Sequence, residues 1–76
     1  MKEIDINLGN VTVINSFLNA VSRFDENLFV KSGDYMVDAR SPIGLFVCDL
    51  SKPVRLLIHS NEERILPVVE RYRAAS

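Results

Sequence analysis

The sequence predicts an α+β domain, an open-faced β-sandwich in which a four-stranded antiparallel sheet of order 1-4-2-3 carries three helices on one face. Three observations lead there. Apolar spacing switches between a period of two and a helical period in the order β-α-β-β-α-β-α. Capping and turn residues stand at the switches. A right-handed crossover through the first helix makes the first two strands run the same way, and the fourth strand then fits between them, antiparallel to both. Residues 1–76 form a single domain, with one sheet face and the helices enclosing the core and the other face open to water.

The elements follow in order. "KEIDINL" alternates Ile4, Ile6 and Leu8 against Glu3, Asp5 and Asn7, the pattern of a half-buried strand. Asn10 is a candidate N-cap for a first helix from about Val11 to Phe24, whose inner face is Val13, Ile14, Phe17, Leu18 and Val21. "ENLFVKSGDYMVDA" reads as a hairpin turning at Ser32-Gly33-Asp34. Ser41 is a preferred N-cap and Pro42 suits the first helical position, giving a short second helix from about Pro42 to Val47. "VRLLIHS" supplies the fourth strand. Ser60-Asn61-Glu62-Glu63 matches the S-x-x-E capping box ahead of a third helix, with Ile65, Leu66, Val68, Val69 and Tyr72 inside. Pro67 should kink that helix or delay its start, and Arg71 and Arg73 suit its negative end.

Composition excludes several functions. The chain is 47% hydrophobic with a net charge of −1 and interspersed charges, so no basic footprint for nucleic acid is present. No apolar run is long enough to span a bilayer and no signal-peptide core is visible, which predicts a cytoplasmic protein. The single cysteine, Cys48, lies in an apolar run and reads as a small buried hydrophobe. His59 and Cys48 sit on different elements without ligand spacing, so no metal is expected, and no cofactor either. Glu3, Asp5 and the Glu62–Glu63 pair read as solvated faces and helix-start charges.

"VDARSPIGL" and the element order resemble the bacterial phosphocarrier protein HPr of the sugar phosphotransferase system over nearly the whole chain. The family pattern is V-x-A-K-S-I-M-G-L, with Arg40 here in place of lysine and Pro42 in place of an aliphatic residue. Phe17, Phe24 and the hairpin at Gly33 fall in register. The family opens its first helix with L-H-[AT]-R-P-A, where this chain reads "GNVTVI". Asn10 stands for the histidine, Thr12 for the arginine and Val13 for the proline. An asparagine amide has no basic lone pair to accept and release a phosphoryl group, so histidine phosphocarrier activity is not expected and the chain reads as a non-enzyme. His59 falls at the far end of the fourth strand, an exposed residue away from the first helix start.

The resemblance implies a regulatory or adaptor role. In one Gram-positive branch of the family, the serine at the Ser41 place is phosphorylated by a dedicated kinase and the product binds a transcriptional repressor. Ser41 is therefore both a helix cap and a candidate phosphorylation site. Ile43, Leu45, Phe46 and Val47 point around more than one side of a short helix. Leu45 should be core, while Pro42, Ile43 and Phe46 reach solvent as a docking patch. The expected partner surface is Asn10, Thr12, Arg40, Pro42, Ile43 and Phe46, and the expected partner is a protein: a phosphotransferase-system component, HPr kinase or a transcriptional regulator. The alternatives are a phosphocarrier using a non-standard residue and a degenerate scaffolding domain.

Overall fold

The computed structural model describes residues 2–74. The elements are β1 (Lys2–Ile6), α1 (Val11–Val21), β2 (Leu28–Ser32), β3 (Tyr35–Asp38), α2 (Pro42–Phe46), β4 (Val54–Ile58) and α3 (Glu62–Val69), which runs on into a 3-10 turn, Glu70–Tyr72. The sheet order is β1-β4-β2-β3, every neighbouring pair antiparallel. β1 and β2 thus run the same way with β4 between them, as the crossover rule requires.

Register explains the two faces. Ile4, Leu56, Val30 and Val37 lie in one cross-strand row and Ile6 and Val54 in another. These rows meet Ile14, Phe17 and Val21 of α1, Leu45 of α2 and Ile65 and Val69 of α3 in one core cluster. Phe17 is fully buried, its ring edge-on to Tyr72 at a centroid distance of 5.4 Å. On the other face Asp5, Arg55, Lys31 and Met36 form a row. Arg55 pairs with Glu3 at 3.3 Å and Asp5 at 3.5 Å, exposed contacts of small energetic weight.

Several sequence expectations need correction. β1 ends at Ile6 instead of Leu8, because Asn7 leaves the sheet partner and donates its N–H to the Tyr72 carbonyl at 2.8 Å. α1 ends at Val21 instead of Phe24. A tight turn, with the Phe24 N–H donating to the Val21 carbonyl, folds the Phe24 ring into the core. α2 ends at Phe46, with Val47 as its C-cap. The capping box at Ser60 does not form. The N-cap is Asn61, in the left-handed region at φ 56°, and its side chain makes no cap hydrogen bond. Asn tolerates that region better than most residues. α3 starts upstream of Pro67, so the proline does not delay it, and only Ile65, Val69 and Tyr72 of the expected inner face are buried fully, Leu66 and Val68 partly.

Candidate functional site

Asn10 is the N-cap of α1. Its backbone is extended and its Oδ1 accepts from the Val13 N–H at 2.9 Å. That satisfies one of the donors a helix start leaves open, and Ile14 N–H closes on the Asn10 carbonyl at 3.0 Å. The amide is thus a structural acceptor, with no nucleophilic atom. Asn10 and Thr12 are both exposed, and the first turn of α1 holds no acidic residue.

Thr12, Val13 and Ser16 form one wall of an open cleft of about 430 Å3. Asn7 and the C-terminal Arg71, Tyr72 and Arg73 form the other. The Ser16 and Tyr72 hydroxyls are 2.5 Å apart across it. Sequence reasoning placed both arginines at the end of the third helix and missed the cleft. What brings them here is long-range pairing: Ile6 bridges to Arg73 and the Ala74 N–H donates to the Asp5 carbonyl at 2.8 Å.

Ser41 caps α2. Its Oγ accepts from the Gly44 N–H at 3.1 Å, and Pro42 follows at N1 as the spacing predicts. Leu45 is fully buried, while Ile43 is 80%, Phe46 54% and Val47 57% exposed. Pro42 is exposed beside them, and Val11 at the start of α1 is exposed too. A five-residue helix offers the core one turn, and Leu45 fills it. The remaining apolar side chains face outward.

The candidate residues do not converge on one point. Asn10 follows β1, whose last residue Ile6 pairs with Val54 at the beginning of β4. Ser41 follows β3, whose last residue Asp38 pairs with Phe29 near the beginning of β2. Because β2 and β4 are antiparallel, these are opposite ends of the sheet. Arg40 is held away from Ser41: its guanidinium donates to the Phe24 carbonyl and pairs with Asp38 at 3.5 Å.

Of the remaining ionisable groups, Cys48 is buried, its thiol pushed up by desolvation, with Sγ 3.5 Å from the Gly44 carbonyl. His59 lies just past β4, exposed and edge-on to Phe29 at 5.5 Å, at the sheet end opposite Asn10. Glu26 is held below the usual carboxylate range, chiefly by the Asn61 amide, which donates to Oε2 at 2.6 Å. Arg64 lies 3.6 Å from the same oxygen. A second cleft, of about 480 Å3, opens beside the β2–β3 turn, but its lining mixes Asp5, Asp34 and Asp49 with Lys31, Lys52 and Arg55. Among the described residues no cluster could hold a metal ion, and no helix is long and apolar enough to cross a membrane.

No protein-family model and no curated protein sequence matches this chain. A solved structure does. The crystal structure of HPr-C-His from Thermoanaerobacter tengcongensis aligns with a TM-score of 0.77 and 22% sequence identity, covering 93% of this chain and 89% of that one. The strand order and the three-helix layer, together with this likeness, give the chain the HPr-like open-faced α+β fold.

Proposed function

We propose that this protein is a docking module on the phosphocarrier scaffold, one that meets a protein partner through the outward face of α2 and carries no phosphoryl group. The observation that carries the reading is the outward set of α2: Ile43, Phe46 and Val47 are all more than half exposed around a fully buried Leu45. Contiguous exposed apolar side chains on a small domain cost solubility and mark a contact surface. The phosphocarrier alternative lacks its chemistry. Asn10 spends its side-chain oxygen on a helix cap, and Thr12 stands where a cation would steady the transferring charge. A purely scaffolding role leaves the α2 surface without a use. The fitting partners are a phosphotransferase-system component, HPr kinase or a transcriptional regulator.

Ser41 is the proposed control point. A phosphate on Oγ keeps the Gly44 N–H within reach, and the Ile43 N–H is the next donor of the same turn. Pro42 supplies no donor, and Arg40 would have to leave the Phe24 carbonyl to assist.

The test of docking is a pull-down from host lysate with the wild type and with I43D/F46D, both checked for folding by circular dichroism. A partner retained by the wild type and lost by the variant is the expected result; identical retained proteins contradict the reading. Treatment with HPr kinase and ATP, followed by intact mass, tests the gate. One added phosphate absent from S41A is expected, and an unmodified chain removes the gate while leaving docking to the pull-down.

A further inference from the structure

We infer that the outer edge of β3 is a strand-addition site, where an extended segment of the docking partner, apolar at its centre with a lysine or arginine on either side, pairs as a fifth strand. The inference deepens the docking reading and rests on it for the side of the site that α2 forms.

The two edges of the sheet differ. The order β1-β4-β2-β3 makes β1 and β3 the edge strands. The chain covers the end of β1 itself: Ile6 bridges to Arg73 and the Ala74 N–H donates to the Asp5 carbonyl at 2.8 Å. Among the described residues no segment pairs with the outer side of β3. An open edge offers backbone donors and acceptors to an extended chain, and natural strands blunt it with lysine, proline or a bulge. β3, Tyr35-Met36-Val37-Asp38, has none of these.

The ladder identifies the open groups. The Ala39 N–H donates to the Leu28 carbonyl at 2.9 Å, so Ala39 is turned toward β2. Bonding direction alternates along a strand, which turns Val37 and Tyr35 inward and Met36 and Asp38 outward. The Asp38 carbonyl already accepts from the Ser41 N–H at 3.0 Å. The Met36 N–H and C=O and the Asp38 N–H remain. An antiparallel guest uses all three: its central residue exchanges both bonds with Met36, and the carbonyl two residues earlier meets the Asp38 N–H.

Side chains choose the guest. In that register the central residue lies beside Met36 on the open face, and the residues two before and two after lie beside Asp38 and Asp34. Both carboxylates are exposed. Asp34 has no ion pair among the described residues, and Asp38 engages Arg40 through Oδ1 alone. A cation therefore fits at each of the two flanking positions. Lys31 stands beside Met36 from β2, so the central position suits an apolar residue instead. The intervening guest residues fall beside Val37 and Tyr35 on the face that carries α2. Gly44 rests on Val37 there, and its neighbour Ile43 is exposed, as are Tyr35 and Met36. Apolar guest side chains gain burial against this surface.

The experiment titrates the 15N-labelled chain with the end-blocked peptide Ser-Lys-Val-Ile-Val-Lys-Ser. Saturable shifts of the Met36 and Asp38 amides are expected, with their hydrogen exchange slowed about tenfold or more at saturation. N-methylation of the peptide isoleucine removes the donor for the Met36 carbonyl and should weaken binding about tenfold. Glutamates in place of the lysines should weaken it about fivefold, the scale of two exposed ion pairs, and D34K should recover about threefold for that acidic peptide. I43D/F46D, with its fold checked by circular dichroism, should bind the parent peptide about fivefold more weakly. Unmoved Met36 and Asp38 amides, equal binding of the N-methylated or acidic peptide, no recovery in D34K, or full affinity in I43D/F46D each overturn strand addition. The two readings fail separately: a partner captured through α2 in the pull-down, with a peptide that leaves the β3 amides unmoved, removes the added strand and keeps the docking.

Discussion

Gly44 of α2 rests directly on Val37 of β3: a methyl group placed on Gly44 would stand 3.0 Å from the Val37 Cβ and 3.2 Å from the Ser41 Oγ. The absence of a side chain is what lets the capped turn of α2 lie against the edge strand. Val37 is β-branched and its Cβ is fixed by the β2 pairing, so it cannot yield without moving the strand. G44A should therefore destabilise the chain by roughly 1 kcal/mol net, overpacking exceeding the helix-propensity gain of alanine. Urea unfolding of the variant beside the wild type measures it; a stabilised variant would mean the contact is slack.

The two helix caps should behave independently. Asn10 and Ser41 cap different helices at opposite ends of the sheet. N10A and S41A should each cost about 1 kcal/mol. The double variant should lose the sum within about 0.5 kcal/mol. Chemical denaturation of all three variants checks the sum.

Glu26 ties the α1–β2 loop to the start of α3 through Asn61, and this bond first, then its own backbone N–H, with Arg64 and Arg40 last, holds its carboxyl below the ordinary value. A carboxyl depressed in the folded state contributes stability above its unfolded value, and the contribution is lost as pH falls through the folded one. The wild type should thus exceed E26A in stability at neutral pH. The gap should narrow progressively as pH drops below about 4.5. Thermal unfolding of both proteins at several pH values reads the gap, and a gap constant with pH contradicts the ionised pair.

Cys48 should resist alkylation. It is 9% exposed and its thiol is raised by desolvation, so little thiolate is available at neutral pH. Reaction with iodoacetamide should be slow in the native chain and become fast in denaturant. A rapid native reaction would mean that the end of α2 opens readily.

What the sequence made legible were features whose causes are local. Ile4 and Ile6 alternate with polar residues because one sheet face is buried, and both are in the core, as is Leu8 just past the strand. Asn10 and Ser41 are caps because their side chains reach an amide three residues on, and both do. A short helix cannot hide four apolar side chains, and Ile43 and Phe46 are outside while Leu45 is inside. What escaped had distant causes. The S-x-x-E motif at Ser60 lost to Asn61, whose side chain is engaged by Glu26, 35 residues earlier. Arg40 is drawn from Ser41 by the Phe24 carbonyl, which is available only because α1 stops at Val21. The cleft of Arg71 and Arg73 exists only because the C-terminal turn closes on β1, a pairing that no periodicity announces.

The most direct test of the central claim is incubation of the purified chain with phosphoenolpyruvate and the general phosphotransferase enzyme, a histidine-bearing HPr in the same mixture serving as the positive control. Intact mass before and after mild acid reads the result. Acid-labile phosphate is expected on the control and none on this chain, because the Asn10 amide offers no basic nitrogen to carry it. A stoichiometric acid-labile phosphate on this chain would contradict it.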